Sequence, residues 1–231
     1  MNIALILSGG TGTRLGGDIP KQYIEAGGHL IISYCIACLS MHEGIDRIQI
    51  VAEPVWQERI LACLDEERAR ERFKGKFSGF SLPGQTRQLS ILSGLEDIIE
   101  YADEEDCVLI HDAARPLLTE TLISDCLDAI DGHDGVLPTL PMKDTVYLSK
   151  DGERISALLD RKEIFAGQAP ELFRIGPYLD ANRKLLPNRI LEINGSTEPA
   201  VLSGMDIVMI PGDENNFKIT TRADLDRFRG K

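Results

Sequence analysis

Short apolar runs alternate with amphipathic segments over the first 131 residues of the chain. The apolar runs have the length of buried strands and lie at 3–7, 47–52, 77–82 and 107–111. The segments between and after them carry apolar residues at helical spacing and predict helices at 30–41, 55–72, 87–100 and 119–131. Strands that alternate with helices form a parallel sheet covered by helices on both faces. We therefore predict an α/β fold with a doubly wound, mostly parallel sheet.

The alternation changes after Pro138. Residues 143–149 and 153–159 alternate between apolar and polar, with Asp151-Gly152 between them, and this pattern predicts a β-hairpin. A two-stranded hairpin is barely stable alone in water, so we predict an arm at 141–165 that packs on a second copy of the chain. A strand at 206–210 and a helix at 221–229 complete the chain. No linker interrupts it, and we expect one domain, 1–231.

Composition excludes several classes of partner. The chain is 43% hydrophobic and 27% charged, as soluble globular proteins are, and its net charge of −12 argues against binding nucleic acid or anionic membranes. The N-terminus reaches polar Ser8 too early for a signal peptide. Five cysteines, an odd number, favour a reducing cytoplasm over a disulfide framework, and we expect buried thiols at Cys35 and Cys38. Anionic substrates would need positive charge concentrated at one site.

The loop after the first strand is rich in glycine and is followed by two cations, Arg14 and Lys21. Backbone N–H groups of such loops surround phosphate oxygens. The dinucleotide fingerprint fails because Leu15 stands at its third glycine, which disfavours a nicotinamide-dependent oxidoreductase, and the Walker A pattern is absent. A glycine loop with two cations suits a triphosphate, although a solvated turn with stray charges remains the structural alternative.

Several motifs, in the same order along the chain, resemble one family. They are Ser8-Gly9-Gly10-Thr11-Gly12-Thr13-Arg14 with Pro20-Lys21-Gln22-Tyr23, then Pro83-Gly84-Gln85-Thr86-Arg87-Gln88-Leu89-Ser90, His111-Asp112-Ala113-Ala114-Arg115-Pro116, Pro141-Met142-Lys143-Asp144-Thr145, Leu159-Asp160-Arg161, and Gly212-Asp213-Glu214-Asn215-Asn216-Phe217-Lys218-Ile219-Thr220. The chain is similar to the IspD and TarI family of CTP:polyol-phosphate cytidylyltransferases. The resemblance implies a Rossmann-like nucleotidyltransferase with a β-hairpin dimerisation arm. It also implies transfer of CMP from CTP to a small polyol phosphate, with release of pyrophosphate.

The resemblance also implies a role for each matching residue. Catalysis falls to Arg14, Lys21, Asp112 and Lys218. The nucleotide is bound by Ser8, Gly9, Gly10, Thr11, Gly12, Thr13, Gly84, Gln85, Arg87, Ser90 and Ala113. The acceptor is bound by Arg115, Thr145, Arg161 and Lys218, and the arm carries Thr145 and Arg161 to a partner's active site. Mg²⁺ is the implied cofactor, held mostly by the CTP phosphates with Asp112 as a weak ligand.

Some of these residues also have structural interpretations. Asp112 could cap a turn, Arg161 could pair with Asp160 or Glu163 on a solvated face, and Lys218 could be a charge on an edge strand. We expect His111 to be structural rather than catalytic. The mechanism needs no general base, because a phosphate monoester is already anionic at neutral pH.

Two departures from the family pattern lie on the acceptor side. The family's Q-T-P reads Gln168-Ala169-Pro170 here, and Asn194-Gly195-Ser196-Thr197-Glu198-Pro199 stands in place of T-D-[DEA]. The resemblance favours 2-C-methyl-D-erythritol 4-phosphate as acceptor, with ribitol 5-phosphate or another alditol phosphate as the alternative. A non-catalytic nucleotide-binding partner protein is the alternative from a different functional class.

Overall fold

The computed structural model describes residues 1–10 and 19–230. The strands are β1 (Asn2–Leu7), β2 (Glu25–Ala26), β3 (His29–Leu30), β4 (Arg47–Val51), β5 (Phe77–Ser81), β6 (Cys107–Asp112), β7 (Gly135–Pro141), β8 (Val146–Leu148), β9 (Ala157–Leu159), β10 (Phe165–Gly167), β11 (Glu171–Arg174) and β12 (Ile207–Pro211). The helices are α1 (Ile31–Met41), α2 (Pro54–Ala69), α3 (Arg87–Ile98), α4 (Glu120–Asp128), α5 (Ile175–Arg183), α6 (Glu198–Leu202) and α7 (Arg222–Phe228). Short 3₁₀ turns lie at Lys21–Tyr23, Arg161–Glu163 and Arg189–Glu192.

One large mixed sheet organises the fold. Strands β6, β1, β4 and β5 are neighbours in that order and run parallel. Strand β11 runs antiparallel to both β6 and β7, β10 runs antiparallel to β7, and β12 runs parallel to β7. The predicted α/β class with a mostly parallel sheet is confirmed, as are the strands and helices predicted over the first 131 residues to within a few residues at their ends.

Both faces of the sheet are buried under helices. In β1, Ala4 and Ile6 join one apolar cluster with α1 and α2, whereas Ile3 and Leu5 join a second cluster with α3 and α5. Successive side chains of a strand point to opposite faces, so a continuously apolar strand contributes to both clusters. This is why the sequence shows short apolar runs rather than alternation in the parallel strands.

The antiparallel region at 165–183 was not predicted. Strands β10 and β11 and helix α5 follow one another there with almost no connecting loop. Their apolar residues merge into one stretch without a clear period, and periodicity cannot separate elements that are this short. The hairpin was predicted longer than it is, because β8 and β9 have three residues each.

The turn of the hairpin is built by the predicted residues. The carboxylate of Asp151 accepts hydrogen bonds from the backbone N–H groups of Glu153 and Arg154, each at 2.9 Å. Gly152 has a φ of 78°, which glycine adopts without strain. The turn chemistry was therefore readable from local sequence, whereas the length of the flanking strands was not.

All five cysteines are free thiols. Burial raises the pKa of Cys38 and of Cys126 to about 12, and it raises the pKa of Cys35 still further. Thiols that remain protonated at neutral pH are poor nucleophiles. The prediction of a buried, inert thiol is thus confirmed for Cys35, whereas Cys38 is only partly buried, although its raised pKa also makes it a poor nucleophile.

No helix in the described ranges is both long and apolar enough to cross a lipid bilayer.

Candidate active site

The carboxyl ends of three strands meet at one edge of the sheet. Leu7 at the end of β1 pairs with Val51 of β4 on one side and with Asp112 of β6 on the other. The next residues continue this alignment, since Ser8 N–H donates to the Val51 carbonyl at 2.9 Å and Ala113 N–H donates to the Leu7 carbonyl at 3.1 Å. In open α/β sheets ligands bind at such an edge, and the predicted nucleotide loops begin here.

A buried carboxylate surrounded by cations lies at this edge. Asp112 Oδ1 is 3.2 Å from Arg87 Nη2, and Asp112 Oδ2 is 3.4 Å from Arg115 Nε and 3.0 Å from Lys218 Nζ. We call Arg87, Arg115 and Lys218 the cation cluster. Three cations around one carboxylate leave a surplus of positive charge, which is the local positive site that anionic substrates would need on an acidic protein.

The cation cluster keeps Asp112 ionised. Burial disfavours the carboxylate, but the attraction of Arg87, Lys218 and Arg115 outweighs this penalty and holds the pKa of Asp112 far below its ordinary value. The side chain of Asp112 is 10% exposed, so the surrounding water screens these attractions only weakly. The alternative interpretation of Asp112 as a turn cap is wrong, because both carboxylate oxygens contact cations.

The C-terminal segment at 212–220 reaches the site through backbone contacts. Arg115 Nη1 donates to the Asn216 carbonyl at 2.7 Å, and Ile219 N–H donates to the Ala114 carbonyl at 2.9 Å. These contacts place Lys218 over Asp112. Lys218 lies in no strand, so its interpretation as an edge-strand charge is wrong and its assignment to the site with Asp112 and Arg115 is supported.

The first loop is anchored by the turn that carries Lys21. Gln22 Nε2 donates to the carbonyls of Ser8 and Gly10, at 2.7 and 2.8 Å. Buried Ser8 donates its hydroxyl hydrogen to Tyr23 Oη at 2.8 Å, so this side chain is engaged within the protein. Lys21 is half-buried beside these anchors. The other residues predicted for this loop, Thr11, Gly12, Thr13 and Arg14, lie outside the described residues.

The loop at 83–90, predicted to contact the base, is held by hydrogen bonds between its own residues. Ser90 Oγ accepts a hydrogen bond from Gly84 N–H and donates one to the Thr86 carbonyl, both at 3.0 Å. Thr86 caps α3 by accepting from Leu89 N–H at 3.2 Å. The side chain of Gln85 is exposed. Ser90 thus shapes the backbone of this loop, and the loop's contact with a base stays a prediction.

His111 is a buried structural residue. It has no exposed surface, and its Nε2 lies 3.0 Å from the Arg115 carbonyl. Burial lowers the pKa of His111 to about 4, so the imidazole is neutral at physiological pH. The expectation that His111 is structural rather than catalytic agrees with this position, because a fully enclosed ring cannot reach a substrate.

The structure leaves the arm residues away from the cation cluster within one chain. Thr145 and Arg161 are exposed, and Arg161 Nη1 donates to the Lys143 carbonyl at 2.6 Å. Among the described residues, the side chain of Arg161 therefore contacts the arm. It pairs neither with the Asp160 or Glu163 carboxylate nor with the cation cluster. Its role toward an acceptor stays a prediction.

Four residues of the site were missed by the sequence reasoning. They are Gln22, Glu171, Ser196 and Asn216. Gln22 and Asn216 stand within motifs that carry the family resemblance, so the signal for them was present. Glu171 directly follows the first departure from the family pattern, and Ser196 lies within the second. No motif marked either residue.

Comparison with known proteins identifies the family of this chain. A model of the family described as IspD: 2-C-methyl-D-erythritol 4-phosphate cytidylyltransferase matches residues 2–229. The enzyme of that name from Rubrobacter xylanophilus is 35% identical over 96% of this chain and 91% of its own length. The ribitol-5-phosphate cytidylyltransferase of Streptococcus agalactiae serotype V is 30% identical over 99% of this chain and 94% of its own length.

Other relatives are longer, and solved structures agree in fold. The chain spans about half the length of curated relatives named bifunctional enzyme IspD/IspF. The solved 4-diphosphocytidyl-2C-methyl-D-erythritol synthase of Anaerococcus prevotii superposes with a TM-score of 0.83 at 22% identity, covering 99% of this chain and 94% of that one, and it supports the fold alone. Over nearly its whole length, the chain belongs to the IspD family of 2-C-methyl-D-erythritol 4-phosphate cytidylyltransferases.

Proposed function

We propose that the protein transfers CMP from CTP to a polyol phosphate and releases pyrophosphate. The observation that carries the proposal is the cation cluster around Asp112 at the carboxyl ends of β1 and β6, on a chain whose net charge is −12. An acidic surface repels two anionic substrates, so both must be drawn to a locally positive site. Membership of the family supplies the reaction.

The reaction needs positioning and charge stabilisation rather than a base. A phosphate monoester has a second pKa near 6, so the acceptor is already an anionic nucleophile at neutral pH. Its oxygen forms a bond to the α-phosphorus of CTP, the bond from that phosphorus to the bridging oxygen breaks, and pyrophosphate leaves with the electron pair. Fixed cations that face the developing charge stabilise this transition state. His111, neutral and enclosed, has no part in this step.

We assign the nucleotide and the acceptor to different residues of the site. We propose that Lys21 and Arg14, with the backbone of the first loop, hold the CTP phosphates. Gln22 supports this role, because its side-chain amide donates to the carbonyls of Ser8 and Gly10 and so fixes the start of the loop. Arg115 and Lys218 would hold the acceptor phosphate. The base would lie against the loop at 83–90.

Magnesium is the cofactor that the family resemblance implies. Within the described ranges no group of three or more His, Cys, Asp or Glu side chains is placed to hold a metal ion. Mg²⁺ often binds through one or two carboxylates, several waters and substrate phosphates. We propose an ion held mainly by the CTP phosphates, with Asp112 as a weak protein ligand. When bound, the ion would neutralise charge on the phosphate oxygens.

We propose 2-C-methyl-D-erythritol 4-phosphate as the acceptor. The family model described for that substrate matches nearly the whole chain, and the relative named for it is 35% identical, against 30% for the relative named for ribitol 5-phosphate. Ribitol 5-phosphate is the second candidate because of that relative. The departures from the family pattern at Ala169 and at 194–199 lie on the side that the family resemblance assigns to the acceptor.

We also propose a homodimer formed through the arm at 141–165. The hairpin exposes large apolar side chains, with Tyr147 54%, Ile155 68% and Leu158 66% exposed. Contiguous exposed apolar surface marks an interaction site, and a two-fold dimer is the commonest assembly of soluble proteins. Such a dimer would carry Thr145 and Arg161 toward the partner's site.

Five free thiols are what a reducing compartment maintains, and we place the protein in the cytoplasm on that ground.

Pyrophosphate release tests the proposed function. The purified chain is assayed with CTP, ATP, GTP or UTP and with each of the two polyol phosphates. We expect turnover with CTP far above that with the other nucleotides, and with 2-C-methyl-D-erythritol 4-phosphate above ribitol 5-phosphate. Equal rates with UTP and CTP would overturn the base assignment, and a preference for ribitol 5-phosphate would overturn the acceptor. No pyrophosphate with any pair would overturn the transferase itself.

A further inference from the structure

Glu171 is a buried acid that the proposed mechanism does not use. It is the first residue of β11, and it is 8% exposed. Its Oε1 accepts a hydrogen bond from the Ser196 hydroxyl at 2.6 Å, and its Oε2 accepts one from the Thr197 hydroxyl at 2.8 Å. Each of the two carboxylate oxygens therefore accepts a hydroxyl hydrogen. The two hydroxyls are therefore locked in direction by Glu171.

Ser196 transmits this orientation to the cation cluster. Arg87 Nη1 donates to the Ser196 hydroxyl oxygen at 2.6 Å, while Arg87 Nη2 donates to Asp112 Oδ1 at 3.2 Å. Because Ser196 gives its one hydrogen to Glu171, its oxygen faces Arg87 only as an acceptor. The guanidinium is thus held between two carboxylates, directly at Asp112 and through one hydroxyl at Glu171.

The sheet register explains how the two carboxylates come to one face. Glu171 of β11 pairs with Ile110 of β6, two residues before Asp112. Side chains two apart on a strand, and those directly opposite on its neighbour, share a face. Ile110 packs in the cluster beneath α3, the helix that begins at Arg87. Arg87 therefore enters from the helix layer directly above both acids.

The carboxylate of Glu171 contacts the segment 194–199, which departs from the family pattern. The segment 194–199 contains no aspartate, although the family's T-D-[DEA] stretch carries one there. In this chain the carboxylate that meets the hydroxyls of 194–199 comes from β11 instead. Burial opposes the charge on Arg87, but the attraction of Asp112 and then of Glu171 raises the pKa of Arg87 above its ordinary value.

We propose that Glu171 is a positioning residue of the site, which orients Arg87 toward Asp112 through the Ser196 hydroxyl and ties the segment 194–199 to the nucleotide-side loop. The inference rests on the proposed function. It assigns Arg87 to holding Asp112 in place rather than to binding the nucleotide. Asp112, so held, keeps Arg115 and Lys218 in the geometry that the acceptor phosphate needs.

The test replaces Glu171 by Gln, which keeps the size of the side chain and removes its charge. An amide offers one acceptor oxygen instead of two, so one of the two hydroxyls must turn away. We expect kcat to fall about tenfold, because a displaced Arg87 would let Asp112 shift and misalign the cations that face the transition state. The KM for CTP should stay within about twofold, since the loop at 83–90 keeps its own hydrogen bonds.

A matched control distinguishes the positioning effect of Glu171 from a general loss of activity caused by removing any acid. Glu96→Gln removes an acid of α3 that pairs with Arg183 on the surface, away from Asp112. This variant should keep the wild-type kcat. Ser196→Ala removes the bridging hydroxyl, and combined with Glu171→Gln it should lower kcat no further than the single change, because both act through one path. Additive losses would contradict the proposal.

Side-chain nitrogen NMR of Arg87 gives a readout that does not depend on turnover. A guanidinium held at both Nη atoms rotates slowly and shows separate Nη signals, which Arg87→Lys assigns by their loss. Glu171→Gln should merge these signals, and Glu96→Gln should not. Unchanged signals with unchanged kcat would overturn the positioning role. An inactive wild-type protein with merged signals in Glu171→Gln would overturn the proposed function and leave the positioning of Arg87 in place.

Discussion

The candidate site is built around Asp112, a buried carboxylate whose two oxygens contact the three residues of the cation cluster. A buried charge that loses its partner costs more than the pair contributes, so Asp112 and the cation cluster stabilise one another only as a set. Under the proposed function the set has a second role, because it holds Arg115 and Lys218 next to the proposed phosphate sites. Removing the charge of Asp112 should therefore disturb folding and function together.

Asp112→Asn should destabilise the protein at neutral pH and much less in acid. The folded-state pKa of Asp112 is depressed, so its contribution is complete above the unfolded-state pKa of about 3.9 and declines as the pH falls toward the folded-state value. Urea unfolding at pH 7 should show a loss on the order of 3 kcal/mol in the free energy of unfolding. At a pH of about 3 the loss should be smaller.

The control for this change is an exposed ion pair. Asp65 lies 2.7 Å from Arg68 and is 73% exposed, so Asp65→Asn should cost less than about 1 kcal/mol at either pH. An equal loss for Asp112→Asn at pH 7 and in acid would show that the cation cluster does not depress the pKa of Asp112.

At the scale of elements, the site requires loops from different strands to approach closely. The loop after β1 touches the loop after β5 at Gly9, where an added Cβ would lie 2.5 Å from the Cβ of Pro83. No side chain fits at that distance, and proline cannot move its ring away without moving its backbone. The glycine is thus needed for contact between the two predicted nucleotide loops, in addition to any contact with phosphate.

Gly9→Ala should force these two loops apart. We expect a loss of about 1–3 kcal/mol in the free energy of unfolding, the usual cost of overpacking, together with weaker CTP binding. Gly10→Ala is the matched control for stability, because a Cβ at Gly10 would meet nothing within 4 Å. Equal unfolding free energies for the two variants would show that the loops do not need this close approach.

At the scale of the whole molecule, the arm offers a surface different in character from the cation cluster. The cation cluster lies at the sheet edge, whereas the arm presents apolar side chains to solvent. If two arms clasp each other about a two-fold axis, each apolar face is covered and each Arg161 leaves its own subunit. Acceptor binding and dimerisation would then be linked, because a monomer would lack part of the acceptor site.

Mixing two inactive variants tests this shared site. Lys21→Ala removes a predicted phosphate ligand, and Arg161→Ala removes the arm's cation. In a mixed dimer one site would carry both changes and the other neither, so random exchange should restore about a quarter of wild-type activity. Lys150→Ala, an exposed cation at the tip of the same hairpin, should be active without mixing. Proven subunit exchange without rescue would show that Arg161 serves its own subunit.

The sequence by itself determined the parallel half of the fold and most of the site. Apolar runs such as 3–7 and 107–111 and helical periodicity such as that of 87–100 are local patterns, so they located the strands, the helices and the loops at the sheet edge. The motifs around Lys21, Asp112 and Lys218 indicated a nucleotidyltransferase. A short stretch of sequence sufficed for each strand and helix, because the apolar pattern that specifies it repeats between residues close together in the chain.

Only the tertiary structure decided which distant residues meet. That Lys218 pairs with Asp112, and that Glu171 reaches Arg87 through Ser196, depends on the antiparallel register of β11 against β6 and on the path of 212–220 across the loop after β6. Register is set by packing of whole faces over many residues, and no local pattern encodes it. For the same reason the sequence showed a broken family motif at 194–199, whereas the folded chain shows a carboxylate from another strand in contact with it.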